Sequence, residues 1–162
     1  MRRPFRGTSA GFTLLEVLVV VAVVAVLVAM VVPNLGGSRS RDVQHAAERL
    51  VLLVNRAKQE AMLASRTWRL VLEEGGRAYR FQQRAGDGFN AVKAAPFAGE
   101  KRLQGVRWAD LTINGQNAAT GGEVYLFPTG EQDTFRVTLR GGEHVRTVVM
   151  DPVGRARLER DQ

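Results

Sequence analysis

The chain has 162 residues, with 23 basic against 16 acidic, a formal net charge of +7 and 45% hydrophobic residues. That is the size of one compact domain with appendages. It has no cysteine and only two histidines, His45 and His144, which excludes disulfide scaffolds, thiolate zinc sites, iron–sulfur centres and cysteine nucleophiles, and leaves no histidine-rich metal cage within one chain; no cofactor or metal is expected.

The chain opens with MRRPFRGTSAG, which carries Arg2, Arg3 and Arg6 and no acid. Residues 12–32 follow as FTLLEVLVVVAVVAVLVAMVV, and from 17 to 32 no residue is polar. At about 1.5 Å rise per residue, a helix of this length spans roughly 30 Å, the thickness of a bilayer's hydrocarbon core. In lipid the backbone must satisfy its own hydrogen bonds, so helix is the expected state despite the many valines. The basic flank predicts a cytoplasmic N-terminus and an external C-terminal part, although Arg39 and Arg41 beyond the run blunt the asymmetry. The run is too long for the apolar core of a secretory signal, and Val31-Val32-Pro33-Asn34 is no small-residue cleavage site. Glu16 lies inside the run near its cytoplasmic end, where a carboxylate costs roughly 1–3 kcal/mol. The run holds no basic residue. An ionic partner would come from outside it, from another subunit or from a newly made N-terminal amine.

Pro33 lacks an amide hydrogen and clashes with the preceding turn, so it is expected to end or kink the helix, with Asn34–Gly37 as a hinge. From about Arg39 to Ser65, Val43, Ala47, Leu50, Val54, Ala57, Ala61 and Ala64 form one stripe at spacings of four and three, the mark of a helix laid on an apolar surface. His45 reads as a surface residue. The period then changes. Trp68–Glu73 and Ala78–Gln83 form a hairpin around Glu74-Gly75-Gly76-Arg77. Residues 85–100 read as a long loop or short irregular elements, Leu103–Ile113 as one or two strands, and 114–122 as a loop. Strands follow at Glu123–Phe127, Thr134–Leu139, His144–Met150 and Ala156–Glu159, separated by Pro128-Thr129-Gly130, Arg140-Gly141-Gly142 and Pro152-Val153-Gly154. A long N-terminal helix followed by antiparallel strands makes the expected fold class α+β.

Gly11-Phe12-Thr13-Leu14-Leu15-Glu16 after a short basic leader resembles the signal of type IV pilins and type II secretion pseudopilins, and the likeness extends over the apolar run to Pro33. The resemblance implies cleavage by a prepilin peptidase between Gly11 and Phe12, N-methylation of Phe12, and attraction of Glu16 to the Phe12 amine of a neighbouring subunit. Two opposite charges that have both lost hydration recover part of that cost by pairing. It implies a pilin-like fold divided into leader 1–11, transmembrane and assembly helix 12–33, amphipathic helix 34–66 and β-rich part 67–162. The expected place is the inner membrane, single-pass, then a periplasmic pseudopilus. The expected partners are major and minor pseudopilins, the prepilin peptidase, the inner-membrane assembly platform and secreted exoproteins. Beyond the run, Arg49-Leu50, Ala57–Ala61, Arg69–Glu73, Gly76–Phe81, Val124–Gly130 and Asp151–Ala156 are similar to the minor pseudopilin H family. The FimT-type minor pilins share the helix and the Phe-Pro-x-Gly stretch and are the alternative, with a role in pilus assembly or DNA uptake.

Catalysis needs converging groups, and the chain offers only adjacent Glu73-Glu74, which diverge if they lie on a strand and are ordinary loop acids if Glu73 starts the turn. Gly86-Asp87-Gly88 lacks the spacing of a calcium loop and the flanks of a phosphate loop. No enzymatic role is expected. Arg136, Arg140, Arg146, Arg155, Arg157 and Arg160 are the candidate nucleic-acid contacts. Six acids interleave with these six arginines between 131 and 162, which points to local pairing instead of DNA.

Overall fold

In the computed structural model the described residues are 14–118 and 121–159, with side chains described for all of them except 28–38. They fall into two units divided between Gly37 and Ser38. Helix α1 runs from Leu14 to Leu63. Its helical assignment passes through Pro33 and through 34–37. Of the two outcomes expected of Pro33, an end to the helix is therefore excluded, and 34–37 are helical residues as well. A proline inside a helix removes one hydrogen bond without having to terminate it.

In the second unit α1 buries the expected stripe of Val43, Ala47, Leu50, Val54, Ala57 and Ala61, widened by Leu53. Ala64 lies outside it and is exposed, because the helix stops one residue earlier. The stop is a Schellman motif. Arg66 N donates to Ala61 O at 3.1 Å and Ser65 N to Met62 O at 3.3 Å, with Ser65 at φ 49°. A serine here holds a left-handed position usually given to glycine.

Ten strands follow. β1 (Trp68–Leu72), β2 (Ala78–Ala85), β3 (Gly88–Ala91), β4 (Lys101–Arg102) and β7 (Gly122–Leu126) make one antiparallel sheet in the order β3-β2-β1-β7, with β4 sharing the β2 edge. β5 (Arg107–Ile113), β6 (Gln116–Asn117), β8 (Phe135–Gly141), β9 (His144–Met150) and β10 (Ala156–Leu158) make the other, ordered β10-β9-β8-β5-β6. Alternation on β1 and β8 sends every second side chain inward, as the pleat requires. One apolar cluster joins both sheets to α1, with Trp68, Tyr79, Phe81, Phe97, Trp108 and Phe135 as its largest members. The α+β class with a helix on antiparallel sheets is the observed architecture.

Two readings are corrected. Residues 85–100 are not one long loop: Gly86 and Asp87 are the tip of a two-residue hairpin, with Ala85 paired to Gly88. Residues 114–122 contain a second tight hairpin, β5–β6, in which Asn114 and Gly115 both have positive φ (49° and 78°), the signature of a type I′ turn. The strand order adds a crossover: β7 joins β1, and residues 127–133 carry the chain to the other sheet, folding back on β7 through Phe127 N to Glu131 O and Asp133 N to Tyr125 O, both 2.9 Å.

Candidate functional site

Every described side chain from Leu14 to Leu27 is exposed, its large apolar ones from 83% at Leu14 down to 50% at Val19. A helix that is apolar on all sides needs lipid or other helices around it. Glu16 stands in the first described turn of this stretch. Among the described residues no helix is long and apolar enough to cross a membrane; the stretch with described side chains, 14–27, covers about 20 Å. Gly11, Phe12 and the leader lie outside the described residues, as does Arg160. Pro33 lies inside α1, in the part where side chains are not described.

In the second unit α1 lies along the free edge of β10. Asn55 reads the backbone of Ala156 in both directions: its Nδ2 donates to Ala156 O and its Oδ1 accepts from Ala156 N, both at 2.9 Å. Lys58 Nζ donates to Gly154 O at 3.0 Å. Beside these contacts runs a groove of about 690 Å³ floored by Val51, Leu52, Leu63 and Leu158 and rimmed by Glu48, Arg56, Glu60 and Arg157. Leu52 and Leu63 are 65% and 82% exposed. The sequence reading missed this face. Its only local signal is an asparagine within a good helix, where it costs propensity.

The arginines of the last strands are not gathered into one patch, although Arg136 and Arg157 share a concavity around Glu159. Arg136 pairs with Glu159; the guanidinium's hydrogen bond holds the Glu159 carboxyl below its ordinary range, and the arginine is raised in return. Arg157 lies 3.9 Å from Asp151. Arg146 Nε donates to Gln44 Oε1 on α1 at 2.8 Å. Arg155 is exposed in the turn before β10. Arg140 stands at the other end of β8 from Arg136, about 13 Å along the strand, facing Arg107 across the ladder. Elsewhere Glu73 and Glu74 lie beyond the end of β1, in the turn, and Glu73 pairs with Arg80; His45 lies 3.7 Å from Glu48 on the exposed face of α1, and His144 is exposed at the start of β9. Among the described residues no three His, Cys, Asp or Glu side chains cluster as a metal site.

Two family models match the chain. The prokaryotic N-terminal methylation motif covers residues 6–32 and the type II transport protein GspH model covers 46–154. The chain belongs to the GspH family. It is a GspH-like minor pseudopilin of type II secretion. It is 27% identical to the type II secretion system protein H of Aeromonas hydrophila, over 97% of each chain. It is 32% identical to the protein of the same name from Pseudomonas aeruginosa, over 83% of this chain and 86% of the relative. It is also 32% identical to the pilin-like protein PilA1 of Thermus thermophilus, over 94% and 99%. The minor pseudopilin EpsH of Vibrio cholerae shares the fold, with a TM-score of 0.61 at 16% identity over 74% of this chain and 99% of EpsH. GspH-family members are structural subunits, and the pilin-like fold is the one the N-terminal motif implies.

Proposed function

We propose that this GspH-family chain is made as a precursor, cut between Gly11 and Phe12 by a prepilin peptidase, and methylated on the new Phe12 amine. Residues 1–11 are then the leader, and 12–33 hold the protein in the inner membrane with the N-terminus in the cytoplasm. Residues 34–66 and 67–162 stand in the periplasm as helix and β-rich part, with Pro33 as a kink between the helical halves. From there the protein enters the pseudopilus. The observation that carries this reading is the apolar run of α1, exposed on all sides and holding one carboxylate, Glu16. The match to the methylation motif over 6–32 supports it.

The work of the protein is assembly, not a reaction. The apolar helix packs against the helices of major and minor pseudopilins, and Glu16 draws the Phe12 amine of a neighbour, fixing register between helices. The assembly platform and secreted exoproteins meet the same subunit from the two ends of its path.

A clean deletion in the source organism tests the reading. Enzymes that are normally secreted are expected to accumulate in the periplasm while motility and DNA uptake continue. Normal secretion with lost transformation or twitching would overturn it in favour of a pilus subunit.

A further inference from the structure

Gly76 lies against the backbone of β5. Trp108 N donates to Gly76 O at 2.9 Å, and a Cβ on Gly76, at φ +70°, would sit 2.4 Å from Trp108 O. Only glycine permits this approach, and it sets the turn after β1, with Arg77, beside the start of β5. The β5–β8 register then places Arg107 directly opposite Arg140. The three arginines line one concavity of about 530 Å³, together with Gly105 and Gly142. Arg39 Cδ stands 3.6 Å from where a Cβ on Gly142 would begin.

Like charges placed directly opposite on neighbouring strands destabilise the pair. Elsewhere on the sheets the fold answers arginine with acid: Arg69 meets Glu123, Arg80 meets Glu73, and Arg136 meets Glu159. Among the described residues no carboxylate forms an ion pair with Arg77, Arg107 or Arg140, and neither Asp42 nor Glu143, the acids of this end, pairs with them. Guanidinium groups present paired donors that match phosphate oxygens. The position narrows the source of such a phosphate. Arg39 follows Val32, the last residue of the apolar run, by seven residues, so even a fully extended chain keeps it within about 25 Å of that run's end.

We propose that Arg77, Arg107 and Arg140, with Arg39 at the rim, bind the phosphates of anionic phospholipid headgroups and seat the sheet unit on the bilayer before it enters the filament. The proposal rests on the membrane-anchored reading above. It makes the sheet unit leave a lipid surface when the subunit is drawn into the pseudopilus.

The test uses the full chain in vesicles of phosphatidylcholine, with and without phosphatidylglycerol, unfolded by urea and followed by Trp68 and Trp108 fluorescence. Surface attraction of roughly fivefold per basic residue predicts a folded-to-unfolded ratio at least about tenfold higher in the anionic vesicles. The gain should vanish near 1 M salt, where the screening length is about 3 Å. Arg107→Gln with Arg140→Gln should abolish most of it. Arg66→Gln with Arg84→Gln makes the same charge change at the opposite end, where Arg84 N bonds Thr67 O, and should retain it. Equal ratios in both vesicles, or equal loss in both double variants, would overturn the proposal. The same gain from inorganic phosphate in phosphatidylcholine vesicles would assign the patch to a free anion and overturn the lipid assignment. Release of the wild-type chain from phosphatidylcholine vesicles by an alkaline wash would overturn the anchoring reading itself, independently of the headgroup comparison.

Discussion

Tyr79 is 2% exposed and meets Phe81 edge-on at 6.0 Å. Burial pushes its hydroxyl up to about 12 from an ordinary 10.0, with the nearby Arg49 charge opposing part of the rise. A folded-state value raised above the unfolded one gives stability that is fully present below pH 10 and is lost as pH climbs toward 12. Urea unfolding at pH 11.5 should therefore show about 2 kcal/mol less stability than at pH 9 from this residue. Tyr79→Phe should remove that part of the alkaline loss, and an unchanged profile in the variant would reject the assignment. Ser65 is a second residue with a definite strain, held at φ 49° in the cap of α1. Ser65→Gly relieves the steric cost of a left-handed serine while loosening the unfolded chain. The expected net gain is about 0.5–1 kcal/mol, read as a higher urea midpoint at constant slope.

At the scale of elements, the face of α1 that meets the sheets is built from small residues where the approach is closest. Ala57 and Ala61 are fully buried. Ala57→Leu adds a strong helix former yet should destabilise by about 1–3 kcal/mol, because the added methylenes have no room. Leu52→Ala, one turn away but 65% exposed, should change stability by less than about 0.5 kcal/mol. Thermal unfolding of the two variants side by side separates packing from propensity. This face was legible because its spacing repeats every three or four residues, and β9 was legible residue for residue because its valine-rich run, although it does not alternate, is bounded by two clear turns. The two tight hairpins were not. Gly88-Phe89-Asn90-Ala91 and Gln116-Asn117 are short and polar, so no alternation marks them, and Asn114-Gly115 alone carried the signal. The passage of β7 into the other sheet was hidden because its partner, β1, is about fifty residues away. The same distance effect hid the functional faces: Asn55 and Ala156 are 101 residues apart, and Arg107 and Arg140 meet only through strand register. The apolar run and Glu16 were legible because composition alone declares them.

For the whole molecule, the proposed function rests on the apolar stretch of α1 and its one carboxylate, Glu16. Glu16→Ala should leave membrane insertion intact and sharply reduce recovery of the subunit in sheared pseudopili. Normal recovery would reject the register pair. Gly11→Asp should yield an uncut, slower-migrating precursor on gels, and normal maturation would overturn the cleavage assignment. A subunit made to polymerise must also avoid polymerising the wrong way. Exposed strand edges are open templates for aggregation. Among the described residues each edge here is short or occupied. β4 and β6 have two residues each and β3 has four. The segment 127–133 folds over β7, and Asn55 takes both backbone groups of Ala156 on β10. The side-chain amide of Asn55 thus serves as a stop signal for strand addition. It closes the β10 edge to a further strand, as the short strands and the 127–133 segment close the others, so that the sheets of one copy offer the next no ladder to extend.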